Sequence, residues 1–187
     1  MRTSTSLYCC LCLSGIIFTS PCYSQQDPYD DEPDLGGYIE GPKWQEGNVV
    51  LPPYPQAGNL LKVDIDTAGQ PFNFYLDSKS IETTPTGVVR YTMVIESNSG
   101  AKNVLYEGMR CRTGEYRTYA YGTSNNSFSE ARVSKWADIL DTGAMVHRDG
   151  LFKHYMCSDI QLAFPVSTIL QRVRYPEDFQ LGGDRDF

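Results

Sequence analysis

Gly87–Glu96 reads GVVRYTMVIE, and its side chains alternate: Val89, Tyr91, Met93 and Ile95 fall on one face, with Arg90, Thr92 and Glu96 on the other. A period of two in β-branched and aromatic residues marks a strand with one face on a core. A turn, Ser97–Ala101 (SNSGA), follows it, then a second run, Asn103–Cys111 (NVLYEGMRC). Leu105, Met109 and Cys111 share a face there, which aims Cys111 inward. Glu107 falls on the same face, so its carboxylate is either buried against Arg90 or Arg110 or exposed at an edge. Gly108 in mid-strand predicts a bulge or a closely approaching backbone. A tight turn at Thr113-Gly114-Glu115 leads into Tyr116–Tyr121 (YRTYAY). Strands joined by turns this short must be antiparallel, because parallel neighbours need a crossover of about a dozen residues or more. The three runs form a meander.

Outward from this centre, Leu60–Ile65 and Phe72–Leu76 read as two further strands joined through a hairpin-like Thr67–Pro71. Leu51-Pro52-Pro53-Tyr54-Pro55 is extended and stiff, and cannot be a central strand. Trp44 opens the domain. Downstream the period changes. Ser129–Leu140, with Ala131, Val133, Trp136 and Leu140, is read as a helix. Asp149 is placed to cap a short helix whose stripe is Leu151, Phe152, Tyr155 and Met156, ending at Cys157. Pro165 suits a first helical turn, and Val166, Ile169, Leu170 and Val173 follow at helical spacing until Tyr175-Pro176 stops the helix. Strands followed by helices predict an α+β fold: one domain over residues 44–175, an antiparallel meander packed with C-terminal helices, and a tail over 176–187.

The chain has 187 residues with 16 basic and 23 acidic side chains, a net charge of −7. That balance argues against nucleic acid or an anionic membrane surface as a main partner, since both select clustered Lys and Arg. Residues 1–24 read as a signal peptide. Arg2 supplies the positive start, and Leu7–Phe18 is an apolar run of twelve, too short to span about 30 Å of hydrocarbon at about 1.5 Å per residue. Cys22 and Ser24 suit cleavage before Gln25; lipid attachment at Cys22 and a retained anchor are the alternatives. Contact with the membrane is therefore expected only during export. Residues 25–43 carry six acids, three prolines and three glycines, the composition of a flexible acidic leader. They lack the Asp-x-Asp-x-Asp-Gly pattern of a calcium loop. Without residues 1–40 the balance is 15 − 17 = −2, so the acidity belongs to the leader.

Export also decides the cysteine chemistry. Four of the six cysteines precede residue 23, which leaves Cys111 and Cys157 in the mature chain. An oxidising compartment pairs them, and two thiols admit one intramolecular connectivity. A redox pair would place its cysteines close together in sequence; a structural bridge is expected.

Thr86–Thr92 (TGVVRYT), Ser99–Val104 (SGAKNV), Tyr106–Cys111 (YEGMRC) and Tyr119-Ala120 resemble the cryptic neisserial protein family, small exported proteins of Gram-negative bacteria. Trp44, Leu51–Pro55, Trp136 and Tyr155-Met156-Cys157 fit the same pattern, so the likeness runs over about residues 44–172. The resemblance implies a location in the envelope and brings no assigned activity.

Catalytic signatures do not emerge. His147 and His154 with a bridged Cys157 do not make a metal site. There is no Gly-x-Ser-x-Gly elbow, no phosphate-cradling Gly-x-x-x-x-Gly-Lys and no dinucleotide Gly-x-Gly-x-x-Gly, so no catalytic residue, metal or cofactor is expected. Tyrosine is abundant, 13 of 187 residues. Tyr116, Arg117, Tyr119 and Tyr121 form a candidate binding surface, because tyrosine pairs a flat apolar body with a polar tip. The expectation is an exported periplasmic protein, a non-enzymatic binding or accessory factor whose partner is an envelope protein or a saccharide. The alternative is an envelope hydrolase or saccharide-binding module with dispersed site residues.

Overall fold

A computed structural model describes residues 42–65, 72–140 and 146–176. The segments read as a signal peptide and, up to residue 41, as an acidic leader, the Thr67–Pro71 connection and the tail beyond Pro176 lie outside the described residues.

The strands are β1 (Leu60–Val63), β2 (Phe72–Asp77), β3 (Glu82–Thr83), β4 (Val88–Ser97), β5 (Lys102–Arg110), β6 (Glu115–Gly122), β7 (Phe128–Glu130) and β8 (Ala137–Asp138). They form one antiparallel sheet in the order β1-β2-β4-β5-β6-β7; β3 shares an edge of β4 with β2, and β8 shares an edge of β6 with β7. β4, β5 and β6 are the meander read from the sequence. Gly100, at φ 82°, closes the β4–β5 turn, and the Gly100 N–H donates to the Ser97 carbonyl at 2.8 Å. A residue with a Cβ pays a steric penalty in that backbone region.

The register contains one irregularity. Tyr106 faces Ala120 while Glu107 faces Thr118, so Tyr119 is an extra residue in β6. Such a bulge turns two successive side chains to the same side. Here Tyr119 and Ala120 both pack with Tyr106, whereas Thr118 reaches Glu107 on the opposite face.

Both faces of the sheet are covered. On one, Leu76, Val89, Tyr91, Met93, Leu105 and Met109 meet the C-terminal segments through Leu151, Tyr155, Met156, Ile169 and Val173. These segments are α1 (Val146–Gly150), which runs on as a π-helical turn through Leu151–Met156, and α2 (Val166–Arg174), which Pro165 precedes. The first of them begins before Asp149, so Asp149 does not cap it; instead it pairs with Lys153 one turn on, at 2.8 Å. The Cys111–Cys157 disulfide, with Cα atoms 5.5 Å apart, ties the end of β5 to the end of the π turn.

The other face of β4 is not solvated. Arg90 is 3% exposed and Thr92 is fully buried, because the extended segment Trp44–Tyr54 lies across that side as a strap. Val49 and Leu51 pack on Tyr106, Tyr119 and Ala120, and Tyr54 packs on Phe128. Trp44 donates from its indole to the Thr86 carbonyl at 3.0 Å, carries the Arg110 guanidinium over its ring at 3.9 Å, and meets Trp136 edge-on.

Ser129–Leu140 is not a helix. Phe128–Glu130 pairs with the far end of β6, Ala137–Asp138 with its start, and the chain between is irregular, bending at Arg132 and Val133. A helix here would need a surface for its apolar stripe, yet Val133 is 73% exposed and Leu140 is also exposed. The open edge of β6 offers backbone hydrogen bonds instead, and these decide the conformation.

Candidate functional site

Register builds two polar rows back to back across the middle of the sheet. On the helix-covered face, Tyr91 of β4, Glu107 of β5 and Thr118 of β6 stand directly opposite one another. Glu107 is 0% exposed, and a buried carboxylate must be hydrogen-bonded and paired. It accepts from the Tyr91 hydroxyl at 3.2 Å and from the Thr118 hydroxyl at 2.8 Å. Its cation is Arg148 of α1, which donates from Nη2 at 2.6 Å and from Nε at 3.1 Å. The Arg148 guanidinium also lies over the Tyr116 ring at 4.1 Å. Arg90 and Arg110, the partners expected from sequence, belong to the other side of the sheet. Burial alone would pull the Arg148 guanidinium down, but the Glu107 hydrogen bonds and charge outweigh it and hold its pKa above the usual arginine value. Burial drives the Tyr91 phenol well up, and the adjacent Glu107 charge adds to that.

On the strap-covered face the row is Arg90, Gly108 and Arg117. The strap sends Glu46 down onto it. The Glu46 carboxylate accepts from Arg90 Nη2 and from Arg117 Nη1, each at 3.2 Å, and takes a short hydrogen bond from the Tyr119 hydroxyl. Arg90 Nη1 and Nη2 also donate to the carbonyls of Asn48 and Gly47, at 3.0 and 3.1 Å. Here the ion pairs attach an irregular segment to a sheet. Burial raises the Tyr119 phenol strongly, and its hydrogen bond to Glu46 raises it further.

A cleft of about 480 Å³ opens where α1 meets the end of the sheet. Phe72, Phe74, Ile95, Leu105, Tyr121 and Val146 supply its apolar lining; Lys102, Asn103 and Ser97 are the polar residues contributed by the β4–β5 hairpin. His147 and Arg148 complete it from α1. His147 is buried and stacks on Phe74, with ring centroids 5.4 Å apart.

The four residues of the sequence-derived binding surface are therefore not brought together. Tyr116 carries Arg148 on the helix side, and Tyr121, 46% exposed, lines the cleft on that side. Arg117 and Tyr119 point to the strap side and meet Glu46. His154 is exposed, and neither it nor Glu107 lines the cleft. Among the described residues no three His, Cys, Asp or Glu side chains converge on a metal-sized site. Arg148 and Glu46 are the residues that sequence periodicity left unassigned. Arg148 precedes Leu151, Phe152 and Tyr155 by three, four and seven residues, so extending that stripe back one turn would have turned it to the sheet.

These features can be set beside known proteins. Cryptic neisserial protein 1 of Neisseria gonorrhoeae (strain ATCC 700825 / FA 1090) is 29% identical to this chain over 136 residues, covering 63% of this chain. The chain spans 66% of that relative's length, just under two thirds. No solved structure matches it. A family model described as the CNP1-like family matches residues 39–174, which takes in the whole meander, both disulfide cysteines and both helices: the chain belongs to the CNP1-like family.

Proposed function

We propose that this is an exported, non-enzymatic binding protein of the cell envelope, and that the cleft between α1 and the sheet is where its ligand enters. The observation that carries this reading is the cleft itself. Its volume of about 480 Å³ lies within the roughly 300–1,000 Å³ of small-molecule sites, and an apolar wall with a few polar groups is their usual make-up. The buried ionisable groups favour binding over catalysis. Glu107 and Glu46 are each engaged by three side chains of the protein itself, so neither carboxylate is poised to exchange a proton with a substrate. Export rests on the signal-like residues 1–24 and is supported by the Cys111–Cys157 bridge, a bond that persists in oxidising compartments.

The test uses the mature protein and the neutral fluorophore N-phenyl-1-naphthylamine. Binding should raise its emission, and Ala101→Trp, which places a large ring in the lining, should abolish the rise with folding retained. Emission that stays at the level of free probe, or that Ala101→Trp leaves intact, would overturn the reading. Fractionation of expressing cells tests the location: the processed chain should be released with the periplasm, its two cysteines protected from alkylation.

A further inference from the structure

Resting on that reading, we infer that the cleft takes a small monocarboxylate with an apolar body, its acid group anchored at Arg148. The sign of the lining points this way. Among the described lining residues Lys102 and Arg148 are cationic and none carries a carboxylate. Glu107 neutralises Arg148 only from behind, since it is fully buried and lies outside the cleft.

Arginine has five N–H donors in a rigid fork. Nε and Nη2 of Arg148 serve Glu107, and among the described residues Nη1 meets no acceptor. A guanidinium held from one side by a carboxylate and from below by the Tyr116 ring is preorganised. It presents its remaining donors without further loss of side-chain freedom, which favours a planar acceptor such as a second carboxylate. Lys102 adds little to this: it faces Glu96 in the β4–β5 register, on the side of the sheet opposite Ile95 and Asn103, and its ammonium meets that carboxylate at 3.7 Å. The rest of the lining includes Phe72, Phe74, Ile95 and Leu105, which accept only an apolar body. The polar and apolar halves together describe an amphiphile.

Calorimetric titration with octanoate, phenylacetate, 1-octanol and acetate tests the inference, with the two acids separating an alkyl from an aryl body. One or both of them should bind about tenfold or more tighter than 1-octanol, the worth of one charge-assisted hydrogen bond, and acetate should not bind measurably. Arg148→Lys keeps a cation beside Glu107 but removes the fork, and should reduce that advantage to about threefold or less. If that variant does not fold, the methyl esters of the two acids, which keep the body and lose the charge, should bind the unaltered protein no tighter than 1-octanol. Equal binding of acid and alcohol, an acid advantage that survives in folded Arg148→Lys, or one that the methyl esters share, overturns the carboxylate while leaving the cleft as a site. Absence of binding by both acids, by octanol and by N-phenyl-1-naphthylamine overturns site and ligand class together.

Discussion

Gly108 and Tyr119 occupy the same small volume on the strap side of the sheet: a Cβ at Gly108 would stand 2.1 Å from the Tyr119 hydroxyl oxygen. The glycine in mid-β5 is therefore explained by a side chain, not by a neighbouring backbone. Its missing Cβ lets the bulged Tyr119 lie flat across β5 and reach Glu46.

Gly108→Ala should accordingly be destabilising. The tip of a tyrosine can usually swing aside, but this one is fastened to Glu46 and flanked by the guanidinium groups of Arg90 and Arg117. We expect a loss of about 1–3 kcal/mol, the usual range for overpacking a filled site. Chemical denaturation reads the loss, and increased protease cleavage within residues 44–56 should accompany it as the strap loosens. Unchanged stability would mean that Tyr119 is not held where the structure has it.

The buried pair of Glu107 and Arg148 should show strong coupling. Glu107→Gln leaves the guanidinium without its counter-charge, and removing one partner of a buried pair costs about 3–5 kcal/mol. Glu107→Gln combined with Arg148→Met removes both charges and should be the more stable of the two variants. A double-mutant cycle measured by urea denaturation would return a coupling near zero if the pair were only a surface contact.

Joining residues 46 positions apart, the disulfide restricts the unfolded chain by about 4 kcal/mol in the loop-entropy model. Cys111→Ala with Cys157→Ala, or addition of a reductant, should lower the denaturation midpoint by a matching amount. Equal midpoints with and without reductant would contradict this.

Alkaline pH should unfold the protein through its tyrosines. Burial pushes Tyr106 up to about 12, and burial likewise raises Tyr91, Tyr119 and Tyr155. A phenol with a raised folded-state pKa binds its proton more tightly when folded. Its contribution is therefore complete below about pH 10, the unfolded value, and is lost as pH rises toward the folded one. Stability should be flat below that point and fall above it. Absorbance near 295 nm should show the buried phenols Tyr91, Tyr106, Tyr119 and Tyr155 ionising only with unfolding. A single titration of all tyrosines near pH 10, with the fold intact, would refute this.

Much of the architecture was legible because it rests on local repetition. The alternation in Val88–Ser97, the short turns and the stripe over Val166–Val173 each report a surface that must be covered, and a period needs no knowledge of what covers it. The Cys111–Cys157 bond was legible by counting. Ser129–Leu140 shows the limit of that logic: its apolar spacing suits a helix, but an open strand edge nearby offered hydrogen bonds that a periodicity argument cannot weigh. What covers Arg90 was illegible for the same reason, because nothing local announces a strap arriving from 44 residues upstream.

By itself, then, the amino-acid order determined the five longer strands, the antiparallel meander, the trailing helices and the covalent tie, all of which follow from short-range pattern or simple arithmetic. Only the tertiary structure decided which charges meet. Glu107 finds Arg148 across 41 residues and Glu46 finds Arg117 across 71, and the bulge at Tyr119 turns Tyr121 to the face opposite Tyr119. Ion pairs and clefts are made where distant segments converge, and a one-residue shift of register would send every such side chain to the other face.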